Sequence, residues 1–188
     1  ALVFCNTVVV GNLGDSPLFH FQMREKKLTK RTEDHTVAGV LLRGGMITPE
    51  MARYHEGKSR LEFFAGADRL PKDPPIWDFE INSGDLLLLC SDGISGAITE
   101  DQMASILIEP AMDLERRADA LVQASLDVGE TDNQTLILWR HGSCEEVAEL
   151  AEQQAEFQSL AKTVKMERPV TINTNSDLSQ PVAKHNDS

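Results

Sequence analysis

The sequence predicts an α+β protein built on antiparallel sheets, and three observations carry that reading. Short apolar runs near the N-terminal end follow one another with only tight turns between them. That spacing pairs strands antiparallel, because parallel neighbours need crossovers of a dozen or more residues. The run Leu86-Leu87-Leu88-Leu89-Cys90 is apolar without a break, as a strand buried on both faces must be. Amphipathic helical patterns with their own caps come as a block after that run.

In chain order, Ala1-Leu2-Val3-Phe4 and Thr7-Val8-Val9-Val10 read as strands joined by a tight hairpin at Cys5-Asn6. Gly11-Asn12-Leu13-Gly14-Asp15-Ser16-Pro17 is a turn, and Leu18-Phe19-His20-Phe21 the next strand. The character changes between about residues 34 and 68. There Thr48-Pro49-Glu50 starts a helix, with Thr as N-cap, Pro at the first helical position and an acid where the helix dipole favours it. Gly44-Gly45 ends whatever precedes it, and residues 71–75, bounded by prolines, form a stiff linker. Residues 77–81 and 86–90 flank the turn Asn82-Ser83-Gly84-Asp85 and are expected to pair with each other. Thr99-x-x-Gln102 is a capping box opening a helix to about Leu107. Leu114, Ala118, Leu121, Val122 and Leu126 form one apolar helical stripe stopped at Gly129. Thr135-Leu136-Ile137-Leu138-Trp139 returns to strand, and the body is expected to end near residue 142. Ser143-x-x-Glu146, with Val147, Leu150, Ala151, Phe157 and Leu160, predicts a C-terminal helix over 143–168. Residues 169–188 are polar, lack aromatics and are expected to be disordered.

Composition narrows the function classes. The 188 residues suit one domain of ordinary size. With 18 Lys+Arg against 30 Asp+Glu the net charge is −12. That argues against nucleic acid as a partner, since a phosphate backbone calls for a basic stripe. The densest basic run, between Arg24 and Arg31, is diluted by Glu25, Leu28 and Thr29. No apolar run approaches the roughly 20 residues of a membrane-spanning helix, so no membrane contact is expected. Three cysteines without CxxC spacing read as reduced thiols in a cytoplasmic protein, not as a disulfide framework or zinc site. No basic n-region precedes an apolar stretch, so no signal peptide is expected; the chain begins in mid-strand and reads as a fragment.

Nucleophilic and nucleotide motifs are missing: there is no GxSxG, HExxH, GxxxxGK[ST] or GxGxxG, and the five histidines are scattered. Cys90 ends an apolar run and reads as a small core residue. What stands out are aspartates at strand ends: Asp92 after the buried run, Asp132 before the last strand, and Asp15 in a turn after Val8-Val9-Val10. Each, taken singly, reads as a turn residue capping backbone amides. If the strand ends meet, three carboxylates converge, and a hard divalent ion with oxygen ligands, Mg²⁺ or Mn²⁺, relieves their repulsion.

Four segments occur in a telling order: Val9-Val10-Gly11-Asn12-Leu13-Gly14-Asp15-Ser16, then Leu28-Thr29 with Asp34-His35-Thr36, then Gly84 to Ser95 around Ser91-Asp92-Gly93, then Asp132-Asn133-Gln134-Thr135. This pattern, over residues 1 to about 140, resembles the metal-dependent type 2C protein serine/threonine phosphatases. The segment from Gly45 through Thr48-Pro49-Glu50-Met51-Ala52-Arg53-Tyr54-His55 is similar to the flap subdomain of their bacterial branch. The resemblance implies an αββα sandwich of two stacked antiparallel sheets flanked by helices, incomplete here at the N-terminus. It also implies residues 1–142 as a partial catalytic domain, with a flap-like insertion over about 36–70. The activity implied is hydrolysis of phosphoserine and phosphothreonine by water activated at two Mg²⁺ or Mn²⁺ ions. The implied partners are a phosphoprotein substrate and a cognate Ser/Thr kinase. By motif position Asp92 and Asp132 match ligands of the first metal and Asp15 a ligand of a third. Asn133 would steer Asp132, and Gly93 belongs to the same Ser-Asp-Gly motif.

Three departures accompany the resemblance. The family's upstream acidic strand, Asp-Gly-x-Gly-Gly-His motif and phosphate-binding arginine would lie before Ala1. Pro17 stands where Arg commonly follows Gly-Asp-Ser, and Gly96 where an acid often helps hold the third metal. The chain alone is therefore expected to be inactive. A pseudophosphatase-like binding module is the alternative reading.

Overall fold

A computed structural model describes residues 1–71 and 75–142. The first expected hairpin forms: β1 (Leu2–Phe4) pairs antiparallel with β2 (Thr7–Gly11) in the register Leu2↔Val9 to Phe4↔Thr7, with Cys5 at the bend. Strand β3 (Leu18–Gln22) is also where the apolar pattern puts it. Strand β4 (Lys27–Lys30) was not legible, because it carries a single apolar residue; it forms by pairing along β3, Phe19 opposite Lys30 and Phe21 opposite Leu28.

The flap-like segment holds two short helices. Helix α1 (Val37–Arg43) is capped by Thr36, whose hydroxyl accepts from the Gly39 amide at 3.0 Å, and it stops at Gly44. Helix α2 (Pro49–Tyr54) starts as the Thr-Pro-Glu signal predicts, Thr48 Oγ1 accepting from the Met51 amide at 3.2 Å. It buries none of its residues.

Strands β5 (Ile76–Glu80) and β6 (Leu86–Cys90) exist, but the expectation that they pair with each other is corrected. Strand β5 pairs with β2, completing a three-stranded sheet β1-β2-β5, while β6 sits between β3 and β7 (Leu136–Arg140) in a four-stranded sheet β4-β3-β6-β7. The turn between them crosses from one sheet to the other, and its carboxylate explains why. Asp85 is 1% exposed, yet its oxygens accept from the Met23 amide (2.9 Å), the Asn82 amide (3.0 Å) and His20 Nε2 (2.9 Å). Burial alone would push its pKa up; these donors outweigh that and hold it below the ordinary value. A turn tied to β3 through Met23 and His20 cannot also serve as a simple hairpin loop.

Helix α3 (Asp92–Ser95) is a single turn that sequence periodicity cannot reveal. Helix α4 (Glu100–Leu107) carries the predicted capping box in full, and α5 (Leu114–Asp127) is capped by Asp113. Every strand pairing is antiparallel. One core lies between the four-stranded sheet and the helices, with Phe19, Phe21, Leu88, Ile94, Met103 and Leu121 fully buried; a second lies between the sheets, with Val8, Val10, Leu18, Ile81 and Leu87. Two stacked sheets with helices packed on one of them answer the predicted sandwich. On the other sheet's outer face Leu2, Phe4, Val9 and Ile76 are exposed. The predicted C-terminal helix (143–168) and polar tail (169–188) lie outside the described residues, as does part of the proline-bounded linker. Among the described residues no helix is long and apolar enough to cross a membrane.

Two measurements check this construction. Replacing Asp85 by Ala leaves three donors facing a buried void and is expected to cost about 3–5 kcal/mol in denaturant unfolding. Because the folded pKa is depressed, the carboxylate's contribution is complete above the unfolded value near 3.9 and is lost as pH falls towards the folded one. The Asp85→Ala variant should therefore lose that part of the acid dependence. In hydrogen exchange, Leu86–Cys90 should be protected far longer than α2 and its flanks, because α2 contributes nothing to either core. Equal protection of the two would contradict the packing described.

Candidate metal centre

Strand β6 delivers the first carboxylate. It ends at Cys90, Ser91 caps α3 with extended backbone, and Asp92 is the first helical residue. Ser91 then laces this corner to the segment ahead of β7. Its amide donates to the Thr135 carbonyl (2.9 Å), its hydroxyl donates to the Asn133 carbonyl (3.0 Å), and the same oxygen accepts from the Thr135 amide (3.1 Å). Gly93 permits the approach: a Cβ there would stand 2.5 Å from the Asn133 carbonyl oxygen, a distance no side chain tolerates. The Asp92 and Asp132 turns are thus held together by backbone contacts.

Asp132 is exposed, in a loop shaped by Glu130. The Glu130 carboxylate accepts from the Thr131 and Asp132 amides (2.8 and 3.0 Å), which lowers its pKa. Asp132 Oδ1 accepts from the Asn133 amide at 2.7 Å. Asn133 therefore touches Asp132 through its backbone N–H, and its carbonyl belongs to the Ser91 lacing.

Asp15 lies in the β2–β3 turn, which His35 clasps from outside. The Gly14 amide donates to His35 Nδ1 (3.1 Å), and the His35 amide donates to the Gly14 carbonyl (2.9 Å). Burial, and next the approach of Arg43, lower the His35 pKa, which suits a ring nitrogen that accepts. Asp15's own pKa is raised, by burial first and then by the negative charge of Asp92; Asp34 adds to the rise, while its own backbone and Lys30 oppose it. Asp15, from the crossing between the two sheets, and Asp92, from the end of β6, thus share one electrostatic neighbourhood.

Two residues of this neighbourhood escaped sequence reasoning as site residues. Asp34 holds Lys30 Nζ at 2.7 Å through Oδ2, while its Oδ1 is buried without a hydrogen-bond partner. The Asp34-His35-Thr36 motif was its only sequence signal. Arg53, on α2, reaches across to the end of α3, its guanidinium donating to the carbonyls of Ser95 (3.4 Å) and Gly96 (3.3 Å). Position 96 admits no side chain in this conformation, since a Cβ would stand 2.6 Å from the Asp92 carbonyl oxygen. A cation thus sits where the family pattern often has an acid. Cys90 is a core residue whose thiol burial pushes up to about 12, so it offers no thiolate.

The donors gathered here are hard carboxylate oxygens, the type Mg²⁺ and Mn²⁺ take. Yet among the described residues no group of three or more His, Cys, Asp or Glu side chains is assembled closely enough to hold an ion. The site fits one flank of a divalent-metal centre and does not form a closed cage.

No profile of a known protein family matches the chain. Individual relatives do. It is 32% identical over 139 residues to the serine/threonine phosphatase stp of Listeria monocytogenes, an alignment covering 73% of this chain and 53% of that protein. Among solved structures it is similar to the serine/threonine phosphatase Stp1 of Staphylococcus aureus, with a TM-score of 0.68 and 30% identity over 75% of this chain and 54% of that one. It is also similar to the catalytic domain of the serine/threonine protein phosphatase PstP, solved in complex with two manganese ions: TM-score 0.61, 28% identity, 73% of this chain and 54% of that one. The chain spans about half the length of the relatives it matches. Being 32% identical to such an enzyme over 73% of its own length and sharing the fold of another, the chain is a member of the bacterial branch of the metal-dependent type 2C serine/threonine phosphatase family.

Proposed function

We propose that residues 1–142 are the C-terminal part of a metal-dependent phosphatase domain that hydrolyses phosphoserine and phosphothreonine in proteins, with residues 36–70 as its flap-like insertion. The observation that carries this reading is the lacing of the Asp92 corner to the Asp132 loop by Ser91, with Asp15 close enough to feel the charge of Asp92. In this proposal Asp92 and Asp132 hold the first Mg²⁺ or Mn²⁺, and Asp15 serves a peripheral ion. Gly93 keeps the two turns in contact, and Asn133 orients the Asp132 carboxylate through its amide. Two divalent ions, when bound, supply an acidified water and neutralise charge at phosphorus. The chain's own residues fix where their carboxylates stand, and Arg53 ties the flap-like segment to the helix that carries Asp92.

The substrate class makes a Ser/Thr kinase the natural opposing partner, and the thiol Cys90 suits the cytoplasm. A binding module stripped of chemistry finds no support, since the relatives bear phosphatase names.

Residues 1–188 by themselves should give no steady turnover of p-nitrophenyl phosphate with Mn²⁺, because one flank of a metal centre does not activate water. Turnover abolished by Asp92→Asn would overturn this. A second test uses a protein that joins this chain to a region matching the rest of its relatives. There Asp92→Asn and Asp132→Asn should each weaken Mn²⁺ binding in calorimetry and lower kcat by about 10²-fold or more, while the melting transition stays cooperative. The Asp15→Asn defect should fade as Mn²⁺ is raised. Wild-type Mn²⁺ affinity in both of the first two variants would sink the ligand assignment.

A further inference from the structure

A cleft of about 610 Å³ opens between the outer strands of the two sheets; none of the proposed metal ligands lines it, although Lys30 and His35 border both it and the Asp15 turn. Lys30 and Arg31 line it from the end of β4, Trp77 from β5, and Arg43 and Phe63 from the flap-like segment; among the described residues Glu33 is its one carboxylate. Among the described residues that line it, three cations against one anion is the reverse of the chain as a whole, where 30 acids outnumber 18 bases.

The internal partners of these cations differ in strength. Lys30 is held by Asp34 at 2.7 Å. Arg43 Nε stands 3.5 Å from a Glu33 carboxylate whose side chain is 67% exposed, a loose pair that contributes little and exchanges at little cost. Arg31 has no carboxylate among the described residues. It donates to His20 Nδ1 at 3.1 Å, lies 4.6 Å from the centre of the Phe79 ring, and keeps its Nε–H buried without an acceptor. Positive charge at this cleft is therefore incompletely compensated from within.

Shape narrows the ligand. Strands β4 and β5 are each the outermost of their sheet, and the cleft opens where the end of β4 stands beside Trp77 of β5; an elongated opening between two edge strands suits an extended chain better than a compact ion. Phe63 and Trp77 add flat apolar walls beside the guanidinium groups. We propose that this cleft binds an extended acidic segment of a partner polypeptide, its carboxylates meeting Arg31 and Arg43 and its apolar side chains resting on Phe63 and Trp77. The proposal needs no metal ion and stands whether or not the phosphatase reading holds.

The test is calorimetric titration of residues 1–188, in EDTA, with the unphosphorylated peptide acetyl-Leu-Glu-Glu-Leu-Glu-Glu-amide. Binding is expected, and Arg43→Glu should weaken it by about tenfold or more. Glu33→Gln, which releases Arg43 from its one carboxylate partner among the described residues, should strengthen it about two- to fivefold. The same peptide with Lys in place of every Glu should not bind. If Arg43→Glu fails to fold by circular dichroism, the exposed Glu33→Gln change decides the matter. Absence of binding by the unaltered chain, or identical affinities in the unaltered chain and Glu33→Gln, would overturn the proposal. Displacement of the peptide by an equal concentration of inorganic phosphate would also overturn it, by making this a small-anion site.

Discussion

Leu86–Cys90 presents an apolar side chain to each of the two layers it separates. Leu86, Leu88 and Cys90 face the helices, and Leu87 and Leu89 face the three-stranded sheet. A leucine fully removed from water is stabilised by about 1.5–3 kcal/mol, so a strand of this composition cannot leave either face open. Covering both faces requires a second sheet on one side and a helix layer on the other. Strands β3 and β7 must flank it to satisfy its backbone, and with those four conditions met the architecture has little freedom left.

The same strand positions the candidate site. Where its apolar run stops, the chain leaves the core and turns polar within one residue, so Ser91 and Asp92 stand at the edge of the sandwich, half-buried. A carboxylate there is desolvated enough for neighbouring charges to matter yet open to solvent on one side. Hydrogen bonding from Ser91 to both sides of residue 134 then fixes where the Asp132 loop ends and β7 begins. Arg53 approaches the far end of the same short helix from α2, which contributes nothing to the core, so two hydrogen bonds link that helix to the one that begins at Asp92.

Charge is distributed unevenly over a molecule that is strongly acidic overall. Negative side chains gather around Asp15, Asp34 and Asp92, where Lys30 is the nearby counter-charge; burial first, and then the charge of Asp92, raise the pKa of Asp15. Cations gather along the β4 edge. Between the sheets runs a polar chain in which an Arg31 Nη–H donates to His20 Nδ1 and His20 Nε2–H to Asp85, while the Arg31 Nε–H stays buried without an acceptor. Breaking either of its hydrogen bonds is costly, since its members sit where an unpaired polar group costs about 1–3 kcal/mol.

Local chemistry written in the sequence determined a good deal by itself. The Cys5-Asn6 hairpin, the Thr48-Pro49 start, the Thr99-x-x-Gln102 box and the α5 stripe depend on contacts within a few residues, and each formed where its residues predicted. The unbroken apolar run of β6 announced its double burial for the same reason. The order of the Asp15, Asp92 and Asp132 corners identified the family, though the side-chain geometry around them did not follow from spacing. Only the tertiary structure decided that β5 and β6 part into different sheets, because the Asp85 carboxylate that redirects the turn is satisfied by His20 and Met23, more than sixty residues earlier. It also decided that Lys27–Lys30 is a strand, since its partner β3 and not its own composition makes it one. The reach of Arg53 to Gly96 was equally beyond sequence reading: it depends on two segments about forty residues apart meeting in space, and no local pattern of residues encodes that distance.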